Sequence, residues 1–224
     1  MKRPILLIEQ FPVFDTVKGV IFDLDGVLVD TAIFHFQAWK QLANSLGFDF
    51  TEKQNEQLKG VSRIRSLELI LAWGGISKTA REQELLANQK NSWYLDLVNK
   101  MKPGDTLPGA IELLTCLKEN NYKIALGSAS KNALLILERT GIVNFFDVIV
   151  DGNTVTASKP APEVFLKGAK SLNIDSAKCL VLEDAQAGID AARAAGMYVI
   201  GIGKYSGLTG ANCLINNLNE LLED

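Results

Sequence analysis

Two aspartates end an apolar run. In VIFDLDGVLVD, residues 20–30, Asp23 and Asp25 follow directly on Val20-Ile21-Phe22. A buried strand accepts charge at its tip only where something compensates it. Residues i and i+2 of an extended chain point the same way, so both carboxyls are aimed to one side unless the turn alters this. Gly26 then lets the backbone bend sharply, or lets a ligand come close. A second acidic pair, Glu183-Asp184, ends the run LVLE. Carboxylates gathered at one sheet edge repel unless protons or a cation intervene. Hard oxygen ligands beside a phosphate site favour magnesium. The DxDG spacing differs from a calcium-binding EF-hand loop, whose glycine falls later. Read singly, Asp184 also fits an ordinary helix N-cap, and Asp23 with Asp25 a polar turn.

Three expected helix starts carry cations: SRIR with Arg63 and Arg65, SASKN with Lys131, and SKPAP with Lys159. A helix N-terminus is already partly positive, so a cation there is mildly unfavourable. One case is an ordinary solvated side chain. Three suggest anion sites, where backbone N–H groups and a cation together cradle phosphate. Ser128 closes its strand and offers a hydroxyl. Two of the starts fall in one part of the chain and one in another, an arrangement suited to a small molecule with a phosphate at each end. His35 is the only histidine. Its position near the first acidic turn is compatible with a structural or a functional role.

The elements that would position these groups follow from periodicity. Residues 17–23 read as a buried strand, and 30–47 as a helix with Phe34, Ala38, Leu42 and Leu46 on one stripe. Thr51 and Gln54 form a capping-box pattern for a short helix ending near Gly60. Ser62 caps a helix running to Trp73, which Gly74-Gly75 stops. A more polar helix covers about residues 78–100. Beyond Lys102-Pro103-Gly104 strands and helices alternate: helix 108–120, strand 122–127, helix 131–140, strand 147–150, helix 160–172 with Pro160 at its first position, strand 178–183, helix 185–195, strand 197–202. A short strand at Leu214-Ile215 and a helix at 218–222 finish the chain. Alternation predicts a Rossmann-like α/β fold with a parallel sheet covered on both faces. The helical block 31–103 interrupts it and reads as an inserted cap over the carboxyl ends of the strands, where open α/β sheets bind ligands. The core is then 17–30 with 104–224, and residues 1–16 an extension without assigned function.

Composition narrows the classes. The 224 residues are 47% hydrophobic, enough for a sizeable core. A net charge of −3 argues against general nucleic-acid binding. No run is long enough to span a membrane. The N-terminal ILLI is interrupted by Glu9 and Pro12 and lacks a small-residue cleavage site, so no signal peptide is expected. Cys116, Cys179 and Cys213 are far apart, without zinc spacing, and read as buried free thiols of a cytoplasmic protein. GIGKYSG, from Gly201, lacks the spacing and following helix of a dinucleotide loop. No conspicuous exposed apolar face is apparent, and a monomer is expected.

DLDGVLVD, the SAS segment, Lys159-Pro160 and LEDAQAGI together resemble the four motifs of the haloacid dehalogenase superfamily, over nearly the whole chain from Val17. Within it, NEQLKGVSR, with His35 upstream and SASKN and ASKPAP downstream, is similar to the branch of sugar-phosphate mutases. The resemblance implies that Asp23 is the nucleophile, taking the phosphoryl group as an aspartyl phosphate. It makes Asp25 the general acid and base. Magnesium would be held by Asp23, the Asp25 backbone carbonyl and Asp184, with Glu183 close by. Ser128 and Lys159 would hold the transferring phosphate and Arg63 the distal one. Ser130, Lys131 and Asn132 would contact the substrate, as would Gly60, while His35 and Lys59 would couple cap closure to Asp25. Ala185 departs from the serine common in such mutases and offers no hydroxyl for a hydrogen bond there, which leaves the implied chemistry unchanged. Three activities are compatible: an isomerase converting β-glucose 1-phosphate to glucose 6-phosphate through a bisphosphate, a small sugar-phosphate phosphatase, and a non-catalytic sugar-phosphate binder.

Overall fold

The computed structural model describes residues 16–59, 61–203 and 207–222. The N-terminal extension up to residue 15, Gly60, and the Lys204–Ser206 part of GIGKYSG lie outside the described residues.

The elements run β1 (Gly19–Phe22), α1 (Ala32–Ser45), α2 (Glu52–Glu56), α3 (Arg63–Trp73), α4 (Ala80–Val98), α5 (Ala110–Glu119), β2 (Lys123–Gly127), α6 (Ala133–Thr140), β3 (Val148–Val150), α7 (Glu163–Leu172), β4 (Cys179–Glu183), α8 (Gln186–Ala194), β5 (Tyr198–Ile202) and β6 (Cys213–Ile215). A short 3₁₀ turn at Leu218–Leu221 takes the place of the expected last helix. The strands form one six-stranded sheet in the order β3-β2-β1-β4-β5-β6, each pair parallel. The chain builds outward from β1 to β3, then returns to place β4 on the other side of β1. That reversal opens a crevice between the carboxyl ends of β1 and β4, where loops diverge to opposite faces.

Period-two alternation divides the core. Val20 and Phe22 join the apolar layer that includes Leu113, Leu117 and Ile136 of α5 and α6. Ile21 faces the other way, into the layer with Phe165 of α7 and Ile189 of α8. A third cluster lies within the helical block and gathers Trp39, Leu42, Phe50, Leu67, Ile70 and Ala87. Helices α2, α3 and α4 are begun by sequence-coded caps. Thr51 and Gln54 satisfy one another's backbone N–H groups, as do Thr79 and Glu82. The block is not sealed off from the sheet, because Ala38, Tyr94 and Val98 belong to the first core layer.

Three expectations need correction. The helix expected from Pro160 begins at Glu163, with Pro162 at the N-cap. Prolines at 160 and 162 disfavour helical geometry at Lys159 and Ala161, which delays the start. Lys131 likewise precedes α6, whose N-cap is Asn132. Cys213 is only partly buried, unlike Cys116 and Cys179, and all three are free thiols. Among the described residues no helix is long and apolar enough to cross a membrane.

Candidate active site

Phe22 pairs with Leu182 in the sheet, so Asp23 and Glu183 leave it side by side. The Asp23 N–H still donates to the Leu182 carbonyl at 2.9 Å, which fixes its direction. The chain then turns, with the Gly26 N–H donating to the Val29 carbonyl at 2.8 Å. Glycine is needed at this turn for two reasons. Its φ is +78°, and a Cβ there would stand 2.1 Å from Asp184 Oδ2. Asp184 itself caps nothing: the N-cap of α8 is Ala185, without a side-chain bond. Its carboxylate turns to the crevice.

Lys159 arrives from the loop before α7. Its Nζ donates to Asp23 Oδ1 at 2.5 Å and to Glu183 Oε2 at 2.8 Å, and stands 4.8 Å from the centroid of the Phe165 ring. The sequence reading placed this lysine at a helix start facing an anion; the two prolines instead deliver it, buried, between two carboxylates. Glu183 is fully buried and also accepts from the Ala185 N–H at 3.1 Å.

Four carboxyls share this edge with one buried lysine. Burial, then Asp23 and Asp184, push Asp25 up to about 8. Burial and Asp23 push Glu183 up to about 8, and the same two causes push Asp184 up to about 6. Burial works against charge on Lys159, yet Asp23 and Glu183 outweigh it and hold its pKa above the ordinary value. Oxygens of Asp23, Glu183 and Asp184 all lie within 4.8 Å of one another. A surplus of negative charge on hard oxygen donors fits a small divalent cation. The Asp25 side chain is outside that set. Its Oδ1 is buried without a hydrogen-bond partner, beside the cavity.

That cavity, about 440 Å³, lies between the strand ends and the helical block. Ser128, Ser130, Lys131 and Asn132 line its sheet side, and His35, Lys59 and Arg63 its helical side. Ser128 follows β2, and successive hydroxyls curl the loop: Ser128 Oγ accepts from the Ser130 N–H at 3.1 Å, and Ser130 Oγ from the Asn132 N–H at 3.2 Å. Arg63 is the first residue of α3 and lines the cavity, whereas Arg65 is exposed and pairs with Glu68 at 2.8 Å. Lys59 reaches across to Asp184 Oδ2 at 3.4 Å and pairs with Glu56 at 3.0 Å. Gly60 lies outside the described residues.

The sequence reading missed Lys90. Its Nζ lies 2.7 Å from His35 Nδ1 and 4.4 Å from the centroid of Trp39. His35 in turn stacks on Tyr94, with ring centroids 4.1 Å apart. Burial, then the nearby Arg63, hold Lys90 well below its ordinary pKa, with Asp25 acting the other way. Burial, then Lys90 and Arg63, do the same to His35. A signal existed. Ala87, Lys90, Tyr94 and Val98 are the buried residues of α4, at helical spacing, so a lysine occupies a position on the apolar stripe.

The family model for haloacid dehalogenase-like hydrolases matches residues 20–202. The chain is 44% identical over 207 residues to the β-phosphoglucomutase of Bacillus subtilis, covering 92% of each. It is 31% identical over 184 residues to a phosphorylated carbohydrates phosphatase of Thermotoga maritima, covering 81% of this chain and 82% of that one. The crystal structure of β-phosphoglucomutase from Clostridium difficile superposes with a TM-score of 0.88 at 44% identity, covering 92% of this chain and 93% of that one.

Proposed function

The chain belongs to the haloacid dehalogenase-like hydrolase family, and on that premise we propose that it acts as a β-phosphoglucomutase, interconverting β-glucose 1-phosphate and glucose 6-phosphate. The observation that carries this reading is one cavity with cations on both walls: Lys131 on the sheet side, and Lys59 and Arg63 on the helical side, with Lys159 buried behind Asp23. A bisphosphate can sit there in either direction. The likeness to the Bacillus mutase, at 44% identity, supports it.

Asp23 acts as nucleophile: its carboxylate oxygen forms the bond to phosphorus as the bond to the sugar oxygen breaks. Lys159 and Ser128 hold the transferring oxygens. Phosphoryl transfer is mostly positioning and charge stabilisation, which suits so many fixed groups. Asp25, whose raised pKa keeps its proton near neutrality, gives that proton to the departing sugar oxygen. In the return transfer it takes one from the hydroxyl that attacks the aspartyl phosphate. Asp23, the Asp25 carbonyl and Asp184, with Glu183 close by, would hold magnesium. When bound, that ion offsets the charge between an anionic nucleophile and an anionic phosphate. Ser130, Lys131 and Asn132 contact the sugar phosphate, and Arg63 the distal phosphate. His35 and Lys90 place the helical block against Asp25. Residues 31–103 form the cap domain and 17–30 with 104–224 the catalytic core, in a cytoplasmic enzyme whose partner is a small sugar phosphate. Cap closure excludes water, so a sugar hydroxyl receives the phosphoryl group.

The Thermotoga phosphatase favours a second reading in which water is the acceptor. One assay separates them: β-glucose 1-phosphate, magnesium and a trace of β-glucose 1,6-bisphosphate. Mostly glucose 6-phosphate is expected; mostly inorganic phosphate would establish the hydrolase, and neither product would leave a binder.

A further inference from the structure

Asn132 stands at the N-cap of α6 yet makes no side-chain cap bond. Asparagine is among the residues that cap best, and a satisfied cap stabilises a helix by about 1 kcal/mol. Here its Nδ2 instead donates to Asn91 Oδ1 at 2.9 Å, in a partly buried contact between residues 41 apart in the chain. Asn91 is the next residue after Lys90 on α4. The backbone of Asn132 is held by Ser130, and that of Ser130 by Ser128, so the contact ends a run of side-chain bonds that starts at the mouth of β2.

We propose that Asn91 is a positioning residue that latches the helical block to the phosphate-binding loop. By accepting from Asn132 it draws that side chain off the end of α6 and onto α4, and it resists separation of α4 from the loop. The proposal rests on the mutase reading above, since the benefit of a latch is to keep water from the aspartyl phosphate. Asn91 touches no reacting atom. Its effect appears in how phosphoryl groups divide between sugar and water.

The test compares wild type, Asn91→Ala and Asn91→Asp with β-glucose 1-phosphate, magnesium and the bisphosphate primer, measuring glucose 6-phosphate and inorganic phosphate together. A partly buried neutral hydrogen bond corresponds to about two- to tenfold in an equilibrium. Asn91→Ala should raise the ratio of phosphate to glucose 6-phosphate by about that factor. Asn91→Asp keeps the acceptor oxygen and should restore the wild-type ratio. An alanine variant with the wild-type ratio, or an aspartate variant as leaky as the alanine one, overturns the latch. If wild type releases only phosphate, the mutase reading fails by itself, and the latch is then judged on KM for the sugar phosphate. Alanine should raise that KM and aspartate restore it, and an unmoved KM overturns the latch there too.

Discussion

A carboxyl oxygen buried without a hydrogen bond holds its proton strongly, and Asp25 is in that position. Two consequences are measurable. A positioned general acid and base, the role proposed for Asp25, contributes about 10²–10⁴-fold. Asp25→Asn is expected to lose activity on that scale while binding magnesium as wild type does, as calorimetry would show; near-wild-type turnover would remove Asp25 from its role. The second consequence concerns stability. A carboxyl raised from 3.8 to about 8 stabilises the fold fully below its unfolded value, and that contribution is lost as pH rises toward 8. In metal-free buffer the denaturant midpoint of wild type, relative to Asp25→Asn, should therefore be higher at pH 5 than at pH 8. A difference that is flat or of opposite sign between those two pH values would contradict the burial of this group.

At the scale of elements, two glycines shape the acidic edge, and Gly188 sets two effects against each other. Alanine in place of glycine favours a helix by roughly 0.5–1 kcal/mol. A Cβ at Gly188, however, would stand 2.0 Å from Glu183 Oε2, and that carboxylate is locked by Lys159 and the Ala185 N–H. Overpacking of this kind destabilises by about 1–3 kcal/mol, which outweighs the propensity. Gly188→Ala should lower the melting temperature and weaken magnesium binding; a stabilised variant with unchanged affinity would show that Glu183 can move freely. The elements were the most legible part of the sequence. Apolar runs, caps at Thr51 and Ser62 and the Gly74-Gly75 stop located β1 and α1–α4 to within a few residues. The acidic pairs were legible because charge at the tip of an apolar run is anomalous. Asp25's proton was not, since it depends on burial that arises only when sheet and helices meet. The pairing of Lys159 with Glu183 was hidden for the same reason: the prolines mark an irregular loop but not where it ends.

The whole molecule is a sheet carrying a helical block with an apolar cluster of its own. Leu67, fully buried in that cluster, is its clearest probe. Leu67→Ala removes about 2–5 kcal/mol of packing. Amide exchange should rise across α3 and the first half of α4 while β1, β4 and β5 keep their protection; equal loosening everywhere would mean that block and sheet open as one unit. The order of strands has a consequence for synthesis as well. Asp23 meets Lys159 across 136 positions of chain, and its other neighbours, Glu183 and Asp184, come later still. A nascent polypeptide thus makes Asp23 early but cannot bring it together with Lys159, Glu183 and Asp184 until the fourth strand has emerged from the ribosome, so the acidic edge is complete only in a nearly finished protein.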